Sequence, residues 1–286
     1  MRGDAHAHAL VAPADLNGAL ALLADKSGYR VLAGGTDMMV AFERGLLKES
    51  RLVSIWHLAE LRGIRVDGPH LVMGALTTYT DLIESPLVVE NAPTLAAAAR
   101  DTAAVAIRNR GTVGGNIANA SPAADLPPAL LVHDCEVELR SSSGARWVDY
   151  AGFHTGYKTT VMRPDELIAR VRVPLSSEPL RHFYRKVGTR KAQAISKVCI
   201  AATVRPGGVA RVAFGSVAPT VVRARGVERE LETVLAKGPL TPEAVARIVG
   251  MGVTEATPID DIRSTADYRA RVTRNVLREC LMSFTA

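Results

Sequence analysis

The stretch Arg108-Asn109-Arg110-Gly111-Thr112-Val113-Gly114-Gly115-Asn116-Ile117-Ala118-Asn119-Ala120-Ser121-Pro122-Ala123-Ala124-Asp125-Leu126-Pro127 decides how this chain is read. A glycine pair stands among polar side chains, and the run ends in a turn. Without a Cβ the backbone can approach a ligand closely, take positive φ and aim successive N–H groups at an anion. The stretch therefore reads as a loop wrapping a phosphate-bearing cofactor, with pyrophosphate as the natural guest. An isolated Gly-Gly would read as a tight turn between two elements, but a second pair changes the reading. Tyr29-Arg30-Val31-Leu32-Ala33-Gly34-Gly35-Thr36-Asp37-Met38-Met39-Val40 is a strand-like apolar run broken at two glycines. Two such loops can clamp one diphosphate. No G-x-G-x-x-G follows a strand and no G-x-x-x-x-G-K-S/T occurs, which disfavours a dinucleotide-binding Rossmann domain and a P-loop NTPase.

Composition bounds the rest. A chain of 286 residues, 48% hydrophobic and 22% charged, can build two or three compact units with their own cores. No apolar run is long enough to cross a bilayer, and the N-terminus has no signal-peptide pattern, so a cytoplasmic location is expected. The net charge of +6 is spread along the chain and only 5% of residues are aromatic, a poor surface for stacking bases. We read the excess as solvated faces and contacts with acidic partner subunits, not nucleic-acid binding. Cys135, Cys199 and Cys280 stand far apart with no C-x-x-C pair, so the chain encodes neither an iron–sulfur cluster nor a structural zinc. They read as buried apolar residues. His6 and His8 read as part of a disordered end or an edge strand.

Hydrophobic spacing gives a coarse map. Asp15 followed by Leu16, Ala19, Leu20 and Leu23 predicts a capped amphipathic helix, with strands over 29–33 and 51–56. Segments 62–66 and 70–74 read as a hairpin, 77–83 as a short helix and 93–104 as a longer one. Strands are expected at 130–139, 146–150 and 166–173, making a middle unit of mostly sheet with two helices. Ser176-Ser177-Glu178-Pro179 reads as a linker. Beyond it, 198–205 and 208–217 form an antiparallel pair. Thr241-Pro242 begins one helix, and Ser264 with Asp267 begins the last.

These residues resemble the FAD-binding medium subunits of the molybdenum hydroxylases, the family of xanthine dehydrogenase, carbon monoxide dehydrogenase and related aldehyde and N-heterocycle dehydrogenases. Both glycine loops carry the resemblance. So do Gly156-Tyr157-Lys158-Thr159-Thr160, Arg163-Pro164-Asp165-Glu166-Leu167-Ile168, the run Lys186 to Val198, and Thr265-Ala266-Asp267-Tyr268-Arg269. It spans almost the whole chain. The resemblance implies an α+β fold: a two-part FAD-binding domain of the PCMH type over 1–176, with subdomains 1–56 and 57–176, then a small α+β C-terminal domain over 177–286.

It also implies a cofactor site for FAD. One side is Val31, Leu32, Ala33, Gly34, Gly35, Thr36, Asp37 and Met38, and the other is Thr112, Val113, Gly114, Gly115 and Asn116, with Ser121 further along. The N–H groups of the four glycines would meet the pyrophosphate. Thr36, Thr112 and Asn116 would meet phosphate or ribityl oxygens, and Asp125 a cofactor hydroxyl, the alternative for Asp125 being a helix cap or turn residue. Lys186 matches a lysine lining the cofactor site, or else an exposed strand lysine. Ile168 and Ile195 match positions near the cofactor, or core residues. The implied role is electron relay, with no catalytic side chain and no metal ligand here. Substrate would be oxidised in a large molybdopterin subunit and electrons would pass through a small [2Fe-2S] subunit to FAD, in a dimer of heterotrimers. Thr102 stands where animal xanthine dehydrogenases place an aromatic, and Gln193 where they place an aspartate, which leaves the acceptor open. The loop 120–125 leans toward the xanthine dehydrogenases. A free-standing flavin oxidase and a flavin-free scaffold subunit are the competing readings.

Overall fold

The computed structural model describes residues 3–25, 28–176 and 180–285. Ser177, Glu178 and Pro179 of the expected linker lie outside the described residues. The first unit is a three-stranded parallel sheet. Its elements are β1 (Ala9–Val11), α1 (Leu16–Ala24), β2 (Tyr29–Leu32), α2 (Met38–Glu43) and β3 (Arg51–Ser54), with strand order β1-β3-β2. The Asp15 carboxylate accepts the Gly18 N–H at 2.8 Å and caps α1 as the sequence predicts. Leu16, Ala19, Leu20 and Leu23 form its buried stripe, in one cluster with Val53 and Ile55. The His6-Ala7-His8 segment is ordered into the unit: the His8 ring meets Phe42 edge-on at 5.6 Å and its Nδ1 lies 2.8 Å from the Glu49 carbonyl oxygen.

The middle unit is built on a five-stranded antiparallel sheet. The expected hairpin forms as β4 (Ile64–Asp67) and β5 (His70–Gly74). Six helices follow: α3 (Tyr79–Glu84), α4 (Pro86–Asn91), α5 (Pro93–Asp101), α6 (Val105–Arg108), α7 (Val113–Asn119) and α8 (Leu126–Leu131). The chain then forms β6 (Glu136–Ser141), β7 (Gly144–Asp149), the small hairpin β8 (His154–Gly156) and β9 (Thr159–Thr160), and β10 (Leu167–Pro174). The order is β4-β5-β10-β6-β7.

Three expectations are corrected here. The unit carries six helices where the sequence predicted two. The helix begun at Pro93 ends at Asp101 and not Ala104, because Ala103 turns into the left-handed region at φ +45°. The apolar run from Leu130 is not a strand: Pro127 and Pro128 sit in the first turn of α8, where a missing N–H costs nothing, and every residue of that helix is buried. A short, uniformly apolar helix and a buried strand have the same pattern.

The last unit has a four-stranded antiparallel sheet, β11 (Arg181–Val187), β12 (Val198–Val204), β13 (Ala210–Gly215) and β14 (Val222–Arg223) in that order. It is backed by α9 (Arg225–Leu235), α10 (Pro242–Glu255) and α11 (Ala266–Ser283). Every residue of β12 is buried. Its two faces are covered by different units: Ala201 belongs to the core of the middle unit, while Val198, Ile200, Ala202 and Val204 pack with the helices of the last one. Thr265, not Ser264, caps α11, accepting the Tyr268 N–H. The three cysteines are buried and free.

Candidate functional site

A cleft of about 790 Å³ opens between the parallel sheet and the middle unit. The turn after β2 forms one wall and the entry to α7 the other. Val31, Leu32, Ala33, Gly34, Gly35, Thr36, Asp37 and Met38 line it, as do Thr112, Gly114, Gly115, Asn116 and Ile168. The walls touch at Gly34, where a Cβ would lie 1.6 Å from the Arg110 carbonyl oxygen. Gly35 turns the chain at φ +79°, which a larger side chain would oppose. Among the described residues, the N–H groups of Gly34, Gly35 and Thr36 donate to no protein acceptor. Backbone donors without partners in a cleft are what an anionic ligand requires.

The second glycine pair works differently from its sequence reading. Gly114 and Gly115 lie in the first turn of α7, capped by Thr112, and not in a positive-φ loop. The Gly114 N–H donates to the Ala75 carbonyl at 2.9 Å, and the Gly115 N–H to Thr112 Oγ1 at 3.1 Å. The expected N–H contacts of Gly114 and Gly115 with pyrophosphate are therefore corrected: both donors are already taken within the protein, and Gly114 is glycine because a Cβ would lie 2.7 Å from that of Ala75. Asn116 Oδ1 is buried with no donor.

Five expected residues are not on the cleft wall. Val113 is buried in the core of the middle unit. Ser121 accepts the Ala123 N–H in a turn. Ile195 is 64% exposed on the loop before β12, neither in the core nor on the wall. Lys186 and Asp125 form a buried pair, Nζ to Oδ2 2.7 Å, and Lys186 also donates to the Asp101 carbonyl. Lys186 is thus neither an exposed strand lysine nor a free cation. Asp125 occupies the cap position of α8 without making a cap bond, and its Oδ1 is buried without a donor. Burial pushes its carboxyl up to about 6 despite the pull of Lys186.

The cleft also recruits residues to which the sequence reading gave no role: Tyr79, Lys158, Arg163 and Glu166. Lys158 reaches Asn119 Oδ1 at 2.6 Å, tying the β8–β9 hairpin to α7. Burial would raise Glu166, but Arg146 and the Arg163 N–H hold its carboxyl below the usual range. The runs 156–160 and 163–168 carry part of the family resemblance, so the signal is present in the sequence. Tyr79 had none.

Residues 6–176 match the model of the FAD binding domain in molybdopterin dehydrogenase, and residues 182–284 match that of the CO dehydrogenase flavoprotein C-terminal domain. The chain belongs to this family. It is 31% identical to the carbon monoxide dehydrogenase medium chain of Hydrogenophaga pseudoflava over 94% of each chain. Identity to a putative xanthine dehydrogenase FAD-binding subunit of Escherichia coli is 33%, over 96% of this chain and 94% of that one. The solved carbon monoxide dehydrogenase from Hydrogenophaga pseudoflava superposes with a TM-score of 0.90, at 31% identity and 96% coverage of both chains. The residues present fit FAD: partnerless N–H groups suit a diphosphate, and the orphan oxygen of Asn116, which lines the cleft, suits a hydroxyl donor such as a ribityl chain supplies.

Proposed function

We propose that this chain is the electron-transfer subunit of a molybdenum hydroxylase of the xanthine dehydrogenase type, working in the cytoplasm in a dimer of heterotrimers. A small [2Fe-2S] partner delivers electrons and a large molybdopterin partner oxidises the substrate. When bound, FAD collects two electrons arriving singly and releases them to an external acceptor. The residues of this chain bind and orient it. Gly34, Gly35 and Thr36 would donate to the diphosphate with Thr112 and Asn116 flanking it, and the Asp125–Lys186 pair lies beyond the cleft wall. The observation that carries this reading is one cleft walled by both glycine turns, with backbone donors left over on one side. A carbon monoxide dehydrogenase medium chain is the second reading, favoured by the TM-score of 0.90 to that enzyme.

The test is co-expression with the neighbouring reading frames. A complex with one FAD per copy of this chain, reduced by xanthine and not by carbon monoxide, supports the first reading, and the reverse supports the second. Turnover of a purine or aldehyde by the purified single chain would refute both, as would a chain that assembles with those partners yet carries no flavin.

A further inference from the structure

Two guanidinium groups lie over the Trp56 ring: the Cζ of Arg110 is 3.8 Å from its centroid and that of Arg62 is 4.4 Å. Arg62 closes its half locally by donating to the Trp56 carbonyl. Arg110 reaches the other turn where the two walls meet: its Nε donates to the Gly34 carbonyl at 3.3 Å. The two arginines share an aromatic partner, but only one touches the glycine turn.

That bond fixes a peptide plane. The C=O of Gly34 and the N–H of Gly35 belong to one trans peptide unit and point in opposite directions. With the carbonyl held on Arg110, the Gly35 N–H is turned away from Arg110, and it has no partner among the described residues. Gly35 has the freedom to flip this plane, as does Gly34. Something outside the turn must therefore set it. Trp56 keeps the Arg110 side chain from swinging into solvent, since a stacked guanidinium retains its donor geometry.

We infer that Arg110 is a positioning residue for the diphosphate: stacked on Trp56, it orients the Gly34–Gly35 peptide so that the Gly35 N–H donates to the bound anion. This rests on the reading that FAD lies between the two turns. Arg110 need not touch the cofactor, and acts through the peptide it holds.

The test compares Arg110→Met, Arg110→Lys and Arg62→Met in the full chain, titrated with FAD. Loss of one donor to a charged acceptor weakens binding by about tenfold or more. Arg110→Met is expected to show that loss and Arg110→Lys to recover part of it, because the ammonium still stacks on Trp56. Arg62→Met is expected to bind within about threefold of wild type, as it keeps the Gly34 contact. The double variant Trp56→Leu/Arg110→Met should bind no more weakly than Arg110→Met alone. The 31P resonances of bound FAD should shift in Arg110→Met and not in Arg62→Met, which separates an oriented donor from general loosening. If wild type binds FAD, Gly34→Ala loses it and Arg110→Met keeps it unchanged, the positioning role is refuted and the cofactor placement stands. Equal losses in the Arg110 and Arg62 variants also refute it. If wild type takes up no FAD even in the assembled complex, both fall.

Discussion

Gly34→Ala is the most direct test of the cleft, because the geometry allows it no quiet outcome. The new Cβ would lie 1.6 Å from the Arg110 carbonyl oxygen and 2.6 Å from its carbon, both backbone atoms. Real Cβ atoms essentially never come within 3.0 Å of such neighbours, so the turns must part by about 1.4 Å at least. That shift removes the Arg110 bond to Gly34 and moves the partnerless N–H groups of Gly34 and Gly35 away from the position proposed for the diphosphate. Each donor to a charged phosphate is worth about 1.5–3 kcal/mol, so losing two raises the dissociation constant for FAD by about a hundredfold or more. Gly35→Ala is the control. Its Cβ meets only Met39 and Leu32 side-chain atoms at 3.4 and 3.5 Å, and its cost is the φ of +79°. That strain, about 1–2 kcal/mol, falls on the free and bound chains alike, so it lowers the melting temperature by several degrees and leaves affinity nearly unchanged. Flavin retained after gel filtration, with the dissociation constant from fluorescence titration, reads both variants. Gly34→Ala binding FAD within about threefold of wild type would show that the ligand does not sit where the turns meet.

Gly115→Val aims a branched side chain from α7 at Thr112 Oγ1, 2.8 Å from the Cβ, and toward Ala33 on the opposite wall at 3.9 Å; it should abolish the flavin absorbance while costing only about 1 kcal/mol of cap stability, read by thermal melts. His133 is fully buried against Thr94, and burial pushes its pKa down to about 3, so the folded chain stays neutral there while the unfolded chain takes up a proton below about 6.5. Stability should therefore fall as pH drops from about 6.5 toward 3, on the order of 4 kcal/mol in all; urea midpoints across that range should be flatter in His133→Asn, and an equally steep acid limb would refute the assignment. Gln193 is exposed at φ +51°, a backbone that aspartate tolerates, so Gln193→Asp should change the relative rates with NAD, a quinone analogue and oxygen in the assembled complex without changing FAD affinity; unchanged ratios would mean that this loop does not gate the acceptor.

Much of the scaffold was legible because its signals are local. The Asp15 cap with its i, i+3, i+4, i+7 stripe, the 64–74 hairpin and the paired strands β12 and β13 each carry their evidence within a dozen residues. Most failures share one cause, the dependence of a residue's state on something distant in sequence: Leu126–Leu131 reads as strand or helix until the surrounding burial is known. The helix α9 is the exception, since Val227, Leu231, Val234 and Leu235 form a local helical stripe that was legible and went unread. At the site, both glycine pairs were found but their roles were not separable. Nothing near Gly114 announces that Ala75 will take its N–H. Asp125 and Lys186 were singled out independently, 61 residues apart, and their mutual pairing was invisible until the sheet of the last unit packed on α8. Ile195 was read as core or cofactor contact, and it lies 64% exposed on a surface loop, outside both the core and the cleft wall.

The two glycine turns thus divide one task. On the α7 side the donors are taken within the protein: Val113 by the Thr77 carbonyl, Gly114 by Ala75 and Gly115 by the Thr112 hydroxyl. That side is rigid, locked to the middle unit before any ligand arrives. On the β2 side the donors of Gly34, Gly35 and Thr36 are left over, in a turn that belongs to a small parallel sheet. These donors are only partly buried, so an anion that binds there replaces water, and each charge-assisted bond it gains is worth about 1.5–3 kcal/mol. The free turn is therefore the one whose conformation FAD would select, and the α7 turn is the surface it would be pressed against. The arrangement predicts an asymmetry: Gly34→Ala and Thr36→Pro, which displace or remove a free donor, should change the ligand's dissociation rate with little effect on unfolding of the middle unit, whereas Gly114→Ala, whose Cβ would crowd Ala75 at 2.7 Å, should lower the middle unit's stability as well as flavin affinity. Hydrogen exchange with and without FAD measures this, since protection gained on binding should concentrate at residues 34–36 and stay nearly constant at 113–115. Equal gains on both sides would mean that the α7 turn also forms on binding, and the division of roles would fail.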